Sequence, residues 1–105
     1  MTVTAFLTVS PDTEGSMAPA VATAVETLEQ FDLEYETTPL GTILEAENVA
    51  EVFDAARSAH EALDADRVGT FLKIDDKRTV DDPASAKVSA VEAELGREAT
   101  SRHTE

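Results

Sequence analysis

The order of strand and helix signals predicts an α+β sandwich of βαββαβ connectivity with one further helix after it. Three observations carry that prediction. Period-2 alternation recurs in four short segments, two stretches between them keep apolar residues at helical spacing, and one pair of strands is separated only by Thr38-Pro39-Leu40-Gly41. So short a link joins antiparallel neighbours, whereas the helical stretches carry the chain back along the sheet.

Thr2 to Ser10 sets Val3, Ala5, Leu7 and Val9 against Thr2, Thr4, Phe6 and Thr8, the pattern of a strand rich in β-branched residues. Pro11 to Gly15 breaks it. Ser16 is expected to cap a helix carrying Val21, Ala24, Val25, Leu28 and Phe31 on one side, with Pro19 in the tolerated first turn and an end near Asp32. Leu33 to Thr37 and Thr42 to Glu47 form the hairpin strands.

Asn48 with Glu51 three residues on reads as a capping box for a second helix, with Val49, Val52, Phe53, Ala56, His60 and Leu63 on its stripe. Val68 to Asp75 alternates again. Asp82-Pro83 reads as a cap and first helical position, and Lys87, Val88, Val91 and Leu95 give a third helix ending at Gly96. Arg97 to Glu105, including His103, is polar and aperiodic, so a single domain over 1–96 with a frayed tail over 97–105 is expected.

This order is the split βαβ, ferredoxin-like arrangement, with two helices on one face of a four-stranded antiparallel sheet. Val3, Ala5, Leu7, Leu33, Tyr35, Leu44, Leu72 and Ile74 are expected to face the helices. Thr4, Phe6, Thr8, Ser10, Glu36, Thr38, Ile43, Glu45, Phe71, Lys73 and Asp75 collect on the other side. A face holding Phe6, Ile43 and Phe71 is too apolar for water, so a second subunit, a ligand or both should cover it.

Composition narrows the function. The chain has 105 residues with 22 Asp plus Glu against 8 Lys plus Arg, a net charge of -14 that repels phosphate backbones and anionic lipid surfaces. Nucleic acid and membrane are therefore excluded as expected partners. The carboxylates are scattered along every segment, as on a halophilic protein surface, so no single Asp or Glu marks a site by its presence. Without cysteine there is neither disulfide scaffold nor thiolate chemistry, and the absence of a leader-like start or a bilayer-length apolar run reads as cytoplasmic.

Side-chain constellations add less. Lys73-Ile74-Asp75-Asp76-Lys77-Arg78 is the densest charge cluster: Lys73 and Asp75 share one face, where they are expected to hold each other and offer a donor and an acceptor to a polar ligand. Otherwise the cluster is a solvated strand end. Asp75, Asp76, Asp81 and Asp82 lack the spacing of a calcium loop, so no metal is expected. His60, alone on an apolar stripe, reads as a residue satisfied by one hydrogen bond. No Ser, His and Asp set has nucleophile spacing, and Thr13-Glu14-Gly15-Ser16 is too glycine-poor to cradle a phosphate.

In the ordered combination Tyr35-Glu36-Thr37-Thr38-Pro39-Leu40-Gly41-Thr42-Ile43-Leu44-Glu45, Ala59-His60-Glu61, Arg67-Val68-Gly69-Thr70-Phe71-Leu72-Lys73-Ile74-Asp75-Asp76-Lys77-Arg78 and Lys87-Val88-Ser89-Ala90-Val91, the chain resembles the small thiamine-binding protein family. The likeness runs from about Thr4 to Val91. It implies a ferredoxin-like domain that joins through its sheets into a homo-oligomer, dimer or tetramer. It also implies binding of thiamine or its hydroxymethylpyrimidine moiety as a carrier or sensor, with neither catalysis nor a cofactor.

Thiamine is a cation with a flat aminopyrimidine, so a binder needs an acceptor for the pyrimidine edge, an aromatic wall and negative potential near the thiazolium. Under that resemblance the expected ligand-binding residues are Phe6, Ser10, Glu36, Thr38, Gly41, Thr42, Glu45, Phe71, Lys73 and Asp75. The chain departs from the family pattern in the acidic first loop, Ser10 to Ser16, and in Lys77 where Arg is usual. The alternative is an oligomeric interaction module whose open sheet face only joins subunits.

Overall fold

The computed structural model describes residues 2–102. The elements run β1 (Thr2–Pro11), α1 (Ala18–Thr27) with a 3-10 turn at Leu28–Gln30, β2 (Glu34–Thr37), β3 (Thr42–Ala46), α2 (Val49–Glu61), β4 (Val68–Lys77) and α3 (Ser85–Leu95). The sheet order is β2-β3-β1-β4 and every pairing is antiparallel, the ferredoxin-like α+β arrangement expected from the alternation.

One face of the sheet is closed by α1 and α2. Along β1 the side chains of Val3, Ala5, Leu7 and Val9 are all buried, and β3 adds Leu44 and Ala46. The core is completed by Ala24, Leu28, Val52, Ala55, Ala56 and Ala59. Leu28, Leu44, Val3 and Val52 are its largest fully buried side chains; removing each from water contributes about 1.5–3 kcal/mol. The alanines of α2 have no bulk to hold the helix away from the sheet, which is how a chain with few large apolar residues closes its core.

Several local expectations are corrected. The first helix ends at Thr27 and tightens into the 3-10 turn, so Leu28 is buried in that turn and Phe31 follows it in extended conformation. Ser16 sits one position outside the Met17 cap, although its Oγ accepts from the Ala18 amide at 3.1 Å. The second helix buries Val52, Ala55, Ala56 and Ala59 and leaves Phe53 57% exposed, so its stripe is rotated away from the one predicted. A small residue packs closer than a ring can, and the sheet is met by alanines.

The capping box is half formed. Asn48 Oδ1 accepts from the Glu51 amide at 2.9 Å, but the Glu51 carboxylate, instead of returning to Asn48, accepts from the Asp32 amide at 3.1 Å and ties α2 to the start of β2. Asp82-Pro83 does not cap α3, whose cap residue is Ala84 with no side-chain acceptor of its own. Gly96 ends α3 in the left-handed region at φ 72°, as predicted for the residue after a helix. Arg97 to Arg102 form neither helix nor strand, and the expectation for His103 lies outside the described residues.

Candidate functional site on the open sheet face

Register fixes which side chains meet on the face without α1 and α2. Glu34, Glu45, Thr4 and Asp75 lie in one row across β2, β3, β1 and β4; Glu36, Ile43, Phe6 and Lys73 form the next. Thr8 and Phe71 pair beyond them, then Ser10 and Gly69. Cross-strand neighbours in such rows are within side-chain reach, so Glu45 and Asp75 flank Thr4 with Glu34 beyond Glu45, and Ile43 and Phe6 lie between Glu36 and Lys73. Phe6 and Phe71 meet edge to face with centroids 6.4 Å apart.

α3 crosses the acidic row. The Ala84 amide, an unsatisfied donor at the start of that helix, donates to Glu45 Oε2 at 3.0 Å, which supplies from β3 the acceptor that α3 lacks. Lys87, just beyond, donates to Asp75 Oδ2. The Lys87 ammonium, through that hydrogen bond and its charge, holds the Asp75 carboxyl below its usual range, with Lys77 and Lys73 adding smaller attractions. The expected Lys73–Asp75 pair is therefore replaced by Lys87–Asp75. Asp76 and Asp82 also face cations, Arg78 Nε at 3.4 Å and Lys77 Nζ at 3.9 Å.

The ten residues expected at the site divide by position. Phe6, Glu36, Glu45, Phe71, Lys73 and Asp75 share the open face, and Ser10 stands at its far end. Gly41 abuts it: a Cβ built there would lie 2.5 Å from Phe6 Cζ and 2.7 Å from Thr8 Cγ2, so only glycine lets the ring lie against the turn. Thr38 is consumed by the turn, its Oγ1 donating to the Gly41 carbonyl at 2.8 Å and accepting from the Leu40 and Gly41 amides at 3.3 Å.

Thr42 is not on this face. It shares the covered side with Leu44 and Ala46, is 5% exposed, and pairs its hydroxyl with that of Thr37 at 3.2 Å. In a strand its parity is that of Leu44, which places it under the helices. Two contributors escaped sequence reasoning. Glu34 belongs to the acidic row by the same parity, so its strand pattern could have found it; Lys87 is twelve residues from Asp75, and nothing in local spacing signals that α3 folds across. His60 pairs with Thr70 Oγ1 on the opposite side of the sheet.

This arrangement offers a donor, several acceptors and two rings on one wall, suited to holding a polar aromatic cation. A UPF0045 protein of Methanothermobacter thermautotrophicus is 42% identical over 98 residues, 89% of this chain and 99% of that protein. The crystal structure of protein MJ1052 from Methanocaldococcus jannaschii superposes with a TM-score of 0.79 at 32% identity, covering 86% of this chain and 95% of that one. A proposed thiamine biosynthesis/salvage protein of Thermotoga maritima, TM0486, gives a TM-score of 0.73 at 26% identity over 87% of this chain and 99% of that one. The sequence profile of the thiamine-binding proteins matches residues 5–92, and the chain belongs to that family.

Proposed function

We propose that this protein binds thiamine or its hydroxymethylpyrimidine moiety without turning it over, as an oligomeric carrier or sensor. The observation that carries the reading is the family match across residues 5–92, which reaches every strand of the sheet. The open face supports it in chemistry: Glu34, Glu45 and Asp75 supply negative potential for a thiazolium, and Phe6 and Phe71 supply ring surface. The thiamine biosynthesis/salvage role proposed for the Thermotoga maritima relative points the same way.

Isothermal titration at molar salt with thiamine and with hydroxymethylpyrimidine tests the reading. A saturable heat from either supports it; an intact, folded protein that takes up neither overturns it.

A second reading draws on the exposure of Ile43, Phe71, Val88, Val91 and Leu95 along this face and α3: the surface joins copies of the chain and holds no ligand. Sedimentation of Phe71→Glu separates the two. If subunits dissociate while thiamine still binds, the face is an interface first, and the ligand lies elsewhere.

A further inference from the structure

The two carboxylates that flank Thr4 on the open face both spend an oxygen on α3: Glu45 accepts from the Ala84 amide and Asp75 from Lys87. Little else holds that helix. None of its eleven residues is buried, and Val88, Val91 and Leu95 keep about half their surface in water. Residues 78–83, which join it to β4, are exposed and form neither helix nor strand. Lys77 meets Asp82 of this segment only at 3.9 Å, too long for a hydrogen bond. Six residues of extended chain reach roughly 20 Å, so α3 can leave the sheet without disturbing β4.

Lys87 also divides the space beneath the helix. A cleft of about 640 Å³ lies between α3 and the β2–β3 side of the sheet, bounded by Thr4, Ile43, Glu45 and Val88. A second, of about 420 Å³, lies toward β4 and is bounded by Thr4, Phe6, Ile43 and Asp75. Thr4, Ile43 and Lys87 line both, so the lysine stands where the two meet. Each is within the range of roughly 300–1,000 Å³ for sites of small organic ligands. Glu45 lines only the first and Asp75 only the second, and a ligand that touches both carboxylates must move Lys87 aside.

We infer that α3 is an autoinhibitory strap: with Lys87 on Asp75 it divides the acidic row, and a ligand cation that reaches Asp75 displaces Lys87 and lifts the helix from the sheet. The ammonium stands in for the ligand's positive charge, so docking of the helix and binding of the cation at Asp75 exclude each other. By linkage, the ligand loosens the strap by the same factor as loosening the strap tightens the ligand. Salt acts on the same contact, because the Lys87–Asp75 pair is exposed enough to be screened. Displacement by thiamine rests on the reading given under Proposed function, whereas release by salt does not.

The chain has no cysteine, so a nitroxide attached through Ala90→Cys labels α3 alone. Ala90 is exposed and lies about 200° round the helix from Val88, away from the clefts. At the lowest salt that keeps the protein folded, the label should broaden the amide signals of Ile43 to Glu45 and of Asp75. Those signals should recover at least about twofold on saturation with thiamine, at molar salt, and in Lys87→Ala before either addition. Thiamine that binds by calorimetry while the broadening persists overturns the strap and leaves the thiamine reading standing. Recovery with salt and in Lys87→Ala, with no heat from thiamine in either protein, overturns the thiamine reading and leaves the strap. Sharp signals from the start, or broadening that neither salt nor Lys87→Ala relieves, overturn the strap whatever thiamine does.

Discussion

Lys87 on α3 donates to Asp75 on β4, so one carboxylate of the row proposed to meet a cationic ligand already holds a cation of its own. The two side chains are 59% and 44% exposed, which keeps their attraction modest and screened by salt. On the proposed reading, a thiazolium arriving at the acidic row would compete with Lys87 for Asp75. Lys87→Ala should therefore tighten thiamine binding about twofold to fivefold at low salt, with the gain vanishing at molar salt; calorimetry at the two salt concentrations reads both effects.

The same pair sets a pH dependence. Because Lys87 lowers the Asp75 carboxyl below its ordinary 3.8, folding favours the ionised form. The contribution is fully present above pH 3.8 and is lost as pH falls through the lower value of the folded protein. Carboxyl carbon shifts of Asp75 should titrate below 3.8 in the wild type and return toward it in Lys87→Ala.

Glu45 holds the first turn of α3 by accepting from Ala84. Loss of a helix-capping acceptor costs about 0.5–2 kcal/mol, but α3 has no buried residue, so that cost stays local. In Glu45→Ala, hydrogen exchange should quicken at the amides of α3 while β1 and β3 keep their protection. A uniform loss of protection across the sheet would show that α3 is coupled to the core after all.

Parity along β1, β3 and β4 was readable in the sequence because Val, Leu and Thr alternate where one face is buried and the other is not. Seven of the ten expected site residues, Phe6, Ser10, Glu36, Glu45, Phe71, Lys73 and Asp75, take their place on the open face from parity along the four strands. Thr42 stands on the covered side, where its alternation with Leu44 already puts it under the helices. Phe53 misled because a ring counts strongly toward an apolar stripe, yet Ala55, Ala56 and Ala59 let α2 approach more closely. Contacts of α3 were invisible: its polar anchors, Glu45 and Asp75, are distant in sequence, and its own Val88, Val91 and Leu95 remain exposed.

Tyr35 is the chain's one tyrosine, and its hydroxyl donates to Glu29 beside α1. That hydrogen bond, then desolvation and the Glu29 charge, raises the phenol above its ordinary 10.0. A raised value favours the protonated phenol in the fold, so the contribution is present below pH 10.0 and is lost as pH rises through the higher folded value. Tyrosinate absorbance should show a midpoint above 10.0 that moves down in Glu29→Gln.

Gly41 lies at the edge of the open face, against the Phe6 ring. Its conformation does not require glycine; only the close approach does, because an added methyl would overlap Phe6 Cζ, Phe6 Cε1 and Thr8 Cγ2. In Gly41→Ala the ring must swing away and break its edge contact with Phe71, or the turn must lift. Overpacking of this kind costs about 1–3 kcal/mol, and a thermal melt measures it. Nuclear Overhauser contacts between Phe6 and Phe71 distinguish the two responses. Their loss places the strain on the ring, whereas their persistence places it on the turn.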